Sequence, residues 1–442
     1  MKDLTQGSIR SHLLAMAVPI FAGMLFQTLY FLVDLYFVGR LGDAAIAGVA
    51  AAGNLSFLVL ALTQVLGVGT VALIAQAVGR KDQAEANLVF NQAQTLALLG
   101  LVACLIVGFA GAQAFSASLG ANAASAAAGR RYLHWYLPAL ALQFVLVAMG
   151  SALRGTGIVK PAIMVQMLTV ILNIVLAPIL IGGWLTGRPM GVAGAGLASS
   201  LAVAVGVVLM TVYFARLEHY VGFNRRLMRP RLASWRAILR IGLPAGGEFV
   251  MMFAIFTFIY WVIRPFGADA QAGFGVGSRV MQAVFLPAMA VAFSVAPVVG
   301  QNFGAGQLAR VRHAFWTAVS MTSVLMLLAM ALCLWRAPHL IGAFTHDAGA
   351  VAVGAEYLRY ISWNFLCTGF VMTCSGALQG LGNTWPALWS SMSRILTFML
   401  PVAWLAASPH FALAHVWTMS IASVSVQALL IGFLAVQRLK GA

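Results

Sequence analysis

The chain has 442 residues, of which 62% are hydrophobic and 8% charged, with a mean hydropathy of +0.94. A water-soluble globule carries about 25% charged residues, so this composition excludes one and defines an integral membrane protein. The formal net charge of +16 would suit nucleic acid, but its residues sit in tails and short breaks between apolar runs, which excludes that reading.

Apolar runs of about 20 residues read as membrane helices. They predict twelve spans, near 13–39, 54–78, 88–117, 131–153, 161–183, 190–215, 238–263, 277–303, 314–335, 357–378, 385–407 and 411–436. The runs are continuous rather than alternating at period two, which excludes a β-barrel. The first run follows Lys2 and Arg10 as a signal peptide would, but it is too long for one and carries Asp34, so it is expected to be retained. Gln27, Tyr30 and Asp34 share one face of it. In the fifth run Asn173 stands four residues before Ala177, either as a polar neighbour for Asp34 or as an interhelical packing group. Segment 216–240 is the longest polar stretch. Beyond it, Glu248 lies four residues after Pro244, with Met251, Met252 and Ile255 on its face and Phe249, Phe253 and Phe256 nearby. An acid among thioethers and rings suits a cation-accepting, shape-tolerant pocket, although such a stripe also describes an ordinary core or lipid-facing helix. Cys104, Cys333, Cys367 and Cys374 form no metal or CxxC pattern, and the eight histidines do not cluster, so neither a metal site nor a cofactor is expected.

Of ten acidic residues, only Asp34 and Glu248 fall inside long apolar stretches. A carboxylate at bilayer depth costs about 2.5–3.5 kcal/mol even on insertion scales, so such acids mark ion or substrate pathways. With the N-terminus inside, seventeen of the 26 Lys and Arg residues fall on the cytoplasmic side and eight opposite, which places both termini in the cytoplasm of a bacterial-type inner membrane. The basic stretch is also expected to meet anionic head groups.

The chain matches itself at one offset, 225 residues. Pro19 falls on Pro244, Gly42 and Gly48 on Gly267 and Gly273, Gln76 and Gly79 on Gln301 and Gly304, and 131–162 on 356–387 without a gap. The expected organisation is therefore a six-helix lobe over 1–220, a basic linker over 221–235 and a second six-helix lobe over 236–442. Parallel repeats of this kind enclose a substrate path between lobes, which is a transporter architecture. Asp34 and Glu248 have Ile259 and Gly23 as repeat mates, so symmetry gives neither acid a structural reason.

VDLYFVGRLGDAAIAG, LIAQAVGRKDQAEA with its echo APVVGQNFGAGQLARV, the paired ALRGTG and ALQGLGNT turns, and NIVLAPILI together resemble the multidrug and toxic compound extrusion (MATE) family of cation-coupled antiporters. The resemblance implies an all-α membrane protein of twelve helices in two pseudo-twofold lobes around a V-shaped cleft, exporting small amphipathic or cationic compounds as a monomer. It implies cation coupling at Asp34 with Asn173, and substrate contacts from Glu248, Gln27, Tyr30, Met251, Met252 and Phe253. Ala177 stands where some branches have a second aspartate, and 357–378 contains no acid, so a proton rather than sodium is the expected coupling ion. A lipid-linked sugar flippase is the rival within transporters, with Arg154, Arg264, Arg279 and Arg394 as its candidate phosphate-binding groups. An intramembrane enzyme is disfavoured, since no nucleophile, base or metal ligands cluster at membrane depth.

Overall fold

The computed structural model describes residues 1–119, 123–184 and 187–441, with side chains described except at 31–35, 43, 44, 51, 52, 54, 113, 115–119, 440 and 441. Asp34 is therefore placed by its backbone alone. Among the described residues there is no strand. The first half comprises α1 (Ile9–Gly39), α2 (Asp43–Gly79), α3 (Gln83–Leu119), α4 (Ala123–Gly155), α5 (Lys160–Gly182) and α6 (Val192–Arg216). The second comprises α7 (Leu232–Ile263), α8 (Ala268–Gly304), α9 (Leu308–Gly342), α10 (Ala348–Ile361), α11 (Phe365–Gly380), α12 (Trp385–Arg394), α13 (Leu400–Leu405) and α14 (Leu413–Gly441).

Eleven stretches among the described residues are long and apolar enough to span a membrane. The run expected over 385–407 is the exception, because it is divided into α12, a π-helical turn over Ile395–Met399, and α13. Pro401 has no N–H to bond one turn back, and a widened turn accommodates the loss. The tenth expected span is likewise interrupted by a 3-10 turn over Ser362–Asn364 between α10 and α11.

Several helices begin well before the expected spans. The Ala- and Gly-rich start of α2 reads as a loop on hydropathy, yet alanine favours helix and its glycines permit close packing. A Cβ on Gly48 would stand 2.6 Å from the backbone of Gly129, and one on Gly273 would stand 2.8 Å from that of Gly354. These two backbone crossings, α2 on α4 and α8 on α10, are 225 residues apart in both members. Left-handed backbone recurs at the same offset, with Gly42 and Gly267 at φ 101° and 92°, Lys81 and Gly306 at 59° and 71°, and Gly157 and Gly382 at 80° and 75°. Only the first half puts a side chain, Lys81, at its copy of the middle turn.

Two compact units result, but their division is not the expected one at 221–235. One unit holds Met1–Asp3 and Ala22–Gly246, and the other Leu4–Phe21 and Gly247–Ala442. Each of α1 and α7 is thus divided near its middle. The physical cause in the first unit is a glycine seat: Gly242 approaches Val65 so closely that a Cβ would stand 1.8 Å from its carbonyl oxygen, and Gly69 meets Ile238 in the same way at 2.3 Å. In the second unit, Gln301 and Asn302 of α8 hold the N-terminal tail, accepting from Leu4 N (2.9 Å) and donating to Leu4 O (3.1 Å).

The linker is pinned as well. Buried Gln92 of α3 donates to the carbonyls of Leu227 (2.5 Å) and Arg229 (2.7 Å) and accepts from Arg231 N (2.9 Å), while Asn91 binds Gly222 O and Asn224 N. Acids outside the apolar runs serve helix starts: Asp82 accepts from Glu85 N, and Asp347 caps α10 through Ala350 N.

Candidate functional site

In the first unit a file of polar side chains runs along α1, α5 and α6. Gln166 of α5 donates to Gln27 at 2.6 Å. One turn on, the Tyr30 hydroxyl meets Ser199 of α6 at 2.8 Å, and Asn173 of α5 donates to the same Ser199 oxygen at 3.0 Å. Asn173 and Ser199 are each 2% exposed. In hydrocarbon these groups have no other partners, so the three helices converge their polar stripes on one another. The other end of the Asn173 amide, Oδ1, is buried without a partner among the described residues. It is an acceptor left open at membrane depth.

Asp34 follows Tyr30 by one turn on α1, so its backbone continues this file. Its side chain is outside the described residues, and the expected Asn173 bond to it falls there too. Ala177 is fully buried in an apolar cluster with Val38, Tyr132 and Ile181, which gives the position of the second aspartate of other branches a purely packing role here. Gln166 and Ser199 were not anticipated. Gln166 carried a readable signal, lying seven residues before Asn173 on one helix face. Ser199 carried none among the small residues of α6.

In the second unit Glu248 is partly buried, and both its carboxylate oxygens accept from the Ser375 hydroxyl of α11, at 2.9 and 3.2 Å. Gln379, one turn further on α11, donates to the Ser375 oxygen at 3.4 Å. The repeat mates of Glu248 and Ser375 are Gly23 and Gly150, so an acid and its hydroxyl partner replace two glycines. That paired replacement was the overlooked signal for Ser375. Met251 and Met252 lie within about 60° of Glu248 around α7, whereas Phe253 lies about 140° away. Phe253 (42% exposed) and Met252 (46%) stand outside the core, which is closed instead by Ile255 and Ile259. The helix therefore brings the two methionines towards Glu248 and turns Phe253 aside, correcting the expected grouping.

Of the basic groups a flippase would need, Arg154 donates to Ser151 at 2.9 Å and Arg394 lies 5.6 Å from the centre of the Phe398 ring. Among the described residues no three His, Cys, Asp or Glu side chains gather as a metal site.

An all-helical, internally repeated chain with polar files at membrane depth is a polytopic membrane transporter. The MatE family model matches residues 19–179 and again 244–405, two segments that begin 225 residues apart, and the chain belongs to that family. It is thus a transporter and not an enzyme. The chain is 27% identical over 406 residues to the "Probable multidrug resistance protein NorM" of Thermotoga maritima, covering 90% of this chain and 85% of that one. It is 24% identical over 370 residues to the multidrug export protein MepA of Staphylococcus aureus, covering 83% and 80%. A crystal structure of MATE in complex with MaL6 superposes with a TM-score of 0.91 at 25% identity, covering 99% of this chain and 98% of that one.

Proposed function

We propose that this transporter exports amphipathic organic cations across the inner membrane in exchange for protons, by alternating access, as a monomer with both termini cytoplasmic and no cofactor. The observation that carries the reading is the polar file of Gln27, Gln166, Tyr30, Ser199 and Asn173, which ends on α1 at the position of Asp34. Asp34 is the coupling group: ionised it admits the cationic cargo, and protonated it releases it. Each proton entering down a 100 mV potential supplies about 2.3 kcal/mol, enough to drive a monocation outward. Glu248, held by one hydroxyl and flanked by Met251 and Met252, supplies charge complementarity to the cargo in the second unit. The apolar surroundings of Ala177 support a proton over sodium, because sodium favours several oxygen ligands.

The test is efflux of a fluorescent cation from reconstituted vesicles, with proton and sodium gradients imposed separately. A proton gradient alone drives transport, and Asp34→Asn abolishes it at matched expression. Wild-type efflux in Asp34→Asn removes the coupling assignment, and efflux that needs sodium and survives collapse of the pH gradient removes the proton.

A further inference from the structure

The first unit carries an open groove of about 490 Å³ that the transport reading does not use. It is lined by α2, α3, α4 and the first part of α7, and every lining residue is apolar or glycine apart from the thiol of Cys104. Its length along α3, from Leu96 to Ala112, is about 24 Å, most of the roughly 30 Å hydrocarbon thickness of a bilayer. Gly100, Gly108 and Gly111 form its floor. Phe144 and Leu137 close against the first two, while a Cβ on Gly111 would meet nothing within 4 Å. The depression at Gly111 is therefore unfilled by protein.

A slot for hydrocarbon chains gains little from the hydrophobic effect inside a membrane, since lipid tails are equally apolar outside it. Selectivity has to come from a polar group at one end. On α7 the groove is lined by Leu239 and Leu243. Arg236 and Arg240 lie on the same helix face, three residues towards the linker from each, and both are exposed. Trp235, one turn before Leu239, carries a buried indole N–H without an acceptor among the described residues. There is no acidic residue from 219 to 247 to neutralise these guanidiniums. The combination is absent from the other half. There the mates of the three glycines are Leu325, Cys333 and Arg336, and those of Arg236 and Arg240 are Ser11 and Ala15.

We infer that this groove is a binding site for one anionic diacyl phospholipid, with its acyl chains on the Gly100–Gly111 floor and its phosphodiester held by Arg236 and Arg240. Guanidinium pairs with phosphate through two parallel N–H bonds, which makes arginine the fitting residue at that end. Each basic residue near the membrane surface contributes about a fivefold preference for anionic lipid, so the pair supplies about thirtyfold, and the preference weakens with salt.

The test uses the full chain in detergent, titrated with phosphatidylglycerol or with phosphatidylcholine of the same acyl chains, counting bound lipids by native mass spectrometry. Phosphatidylglycerol binds the wild type more tightly. Arg236→Gln with Arg240→Gln removes about thirtyfold of that affinity and the preference with it, whereas Arg225→Gln with Arg226→Gln leaves most of both. Gly111→Phe, which fills open space, weakens both lipids. In parallel, phosphatidylglycerol slows alkylation of Cys104 in the groove wall and leaves Cys367, in the other unit, unchanged. Equal affinity for the two lipids, equal damage from the Arg225 and Arg226 pair, a Gly111→Phe variant that binds as the wild type does, or unprotected Cys104 at saturation each overturns the site.

Discussion

Gly242→Ala adds one methyl group to the first unit and is expected to be among the costliest single substitutions in it. The new Cβ would stand 1.8 Å from the Val65 carbonyl oxygen and 2.6 Å from its carbon, so α7 and α2 must separate by about 1.2 Å before contact becomes tolerable. Backbone cannot rotate aside as a side chain would. Overpacking costs about 1–3 kcal/mol, the upper end when backbone must move, and alanine's better helix propensity returns at most about 1 kcal/mol. A net loss of about 2 kcal/mol lowers the melting temperature by about 4–8 °C for a unit of this size. Gly247→Ala, five residues along the same helix, meets only the tip of the Leu388 side chain at 3.0 Å and is expected to melt within about 2 °C of wild type. Gly111→Ala, in open space on α3, is expected to be neutral or stabilising by up to about 1 kcal/mol. Thermal unfolding in detergent, followed by tryptophan fluorescence, ranks the three. The reasoning fails if Gly242→Ala melts with the wild type, or if Gly247→Ala costs as much.

Glu248→Gln is expected to impair efflux of a cationic dye more than that of a neutral drug, because only the cation gains from the carboxylate; equal loss for both would make Glu248 a structural or coupling group. Ser375→Ala removes the hydroxyl on which both carboxylate oxygens rest, with an expected cost of about 1–3 kcal/mol in stability, and dose–response curves should show it falling with Glu248→Gln on the same cationic substrates. Gln92→Ala deletes three bonds to the linker backbone, each worth about 1 kcal/mol. Trypsin should then cut between Arg225 and Arg231 at least tenfold faster, and an unchanged cleavage rate would mean that the linker is held by other contacts.

Much of this architecture is legible in the chain because its two signals, continuous hydropathy and a 225-residue repeat, are local or periodic. The glycine crossings of Gly48 on Gly129 and Gly273 on Gly354 fall where the repeat places them. The start of α2 was not legible, since a run of Ala and Gly scores poorly on hydropathy and its helix depends on a neighbour close enough to need no side chain. The π turn before Pro401 and the division of α1 and α7 between units were hidden for the same reason: each is decided by what packs against the segment. At the candidate site, Gln27 and Tyr30 could be read from helical spacing on one segment. Their partners Gln166 and Ser199 could not be paired from sequence, because hydrogen bonds between helices depend on rotation about each axis. Phe253 was misgrouped by counting proximity along the chain instead of angle around the helix.

The division of α1 and α7 bears on how the protein is made. Residues Leu4–Phe21 belong to the unit whose remainder begins at Gly247, so the first segment to leave the ribosome waits through more than half of synthesis before its packing partners exist. Conversely, the first unit lacks its glycine-seated segment until Gly246 has emerged. Neither half is a self-sufficient folding product, and a chain cut at residue 220 would strand a seat without its occupant on one side and an occupant without its seat on the other. Two fragments divided there are expected to accumulate only when both are synthesised in the same membrane, each acting as the other's missing piece.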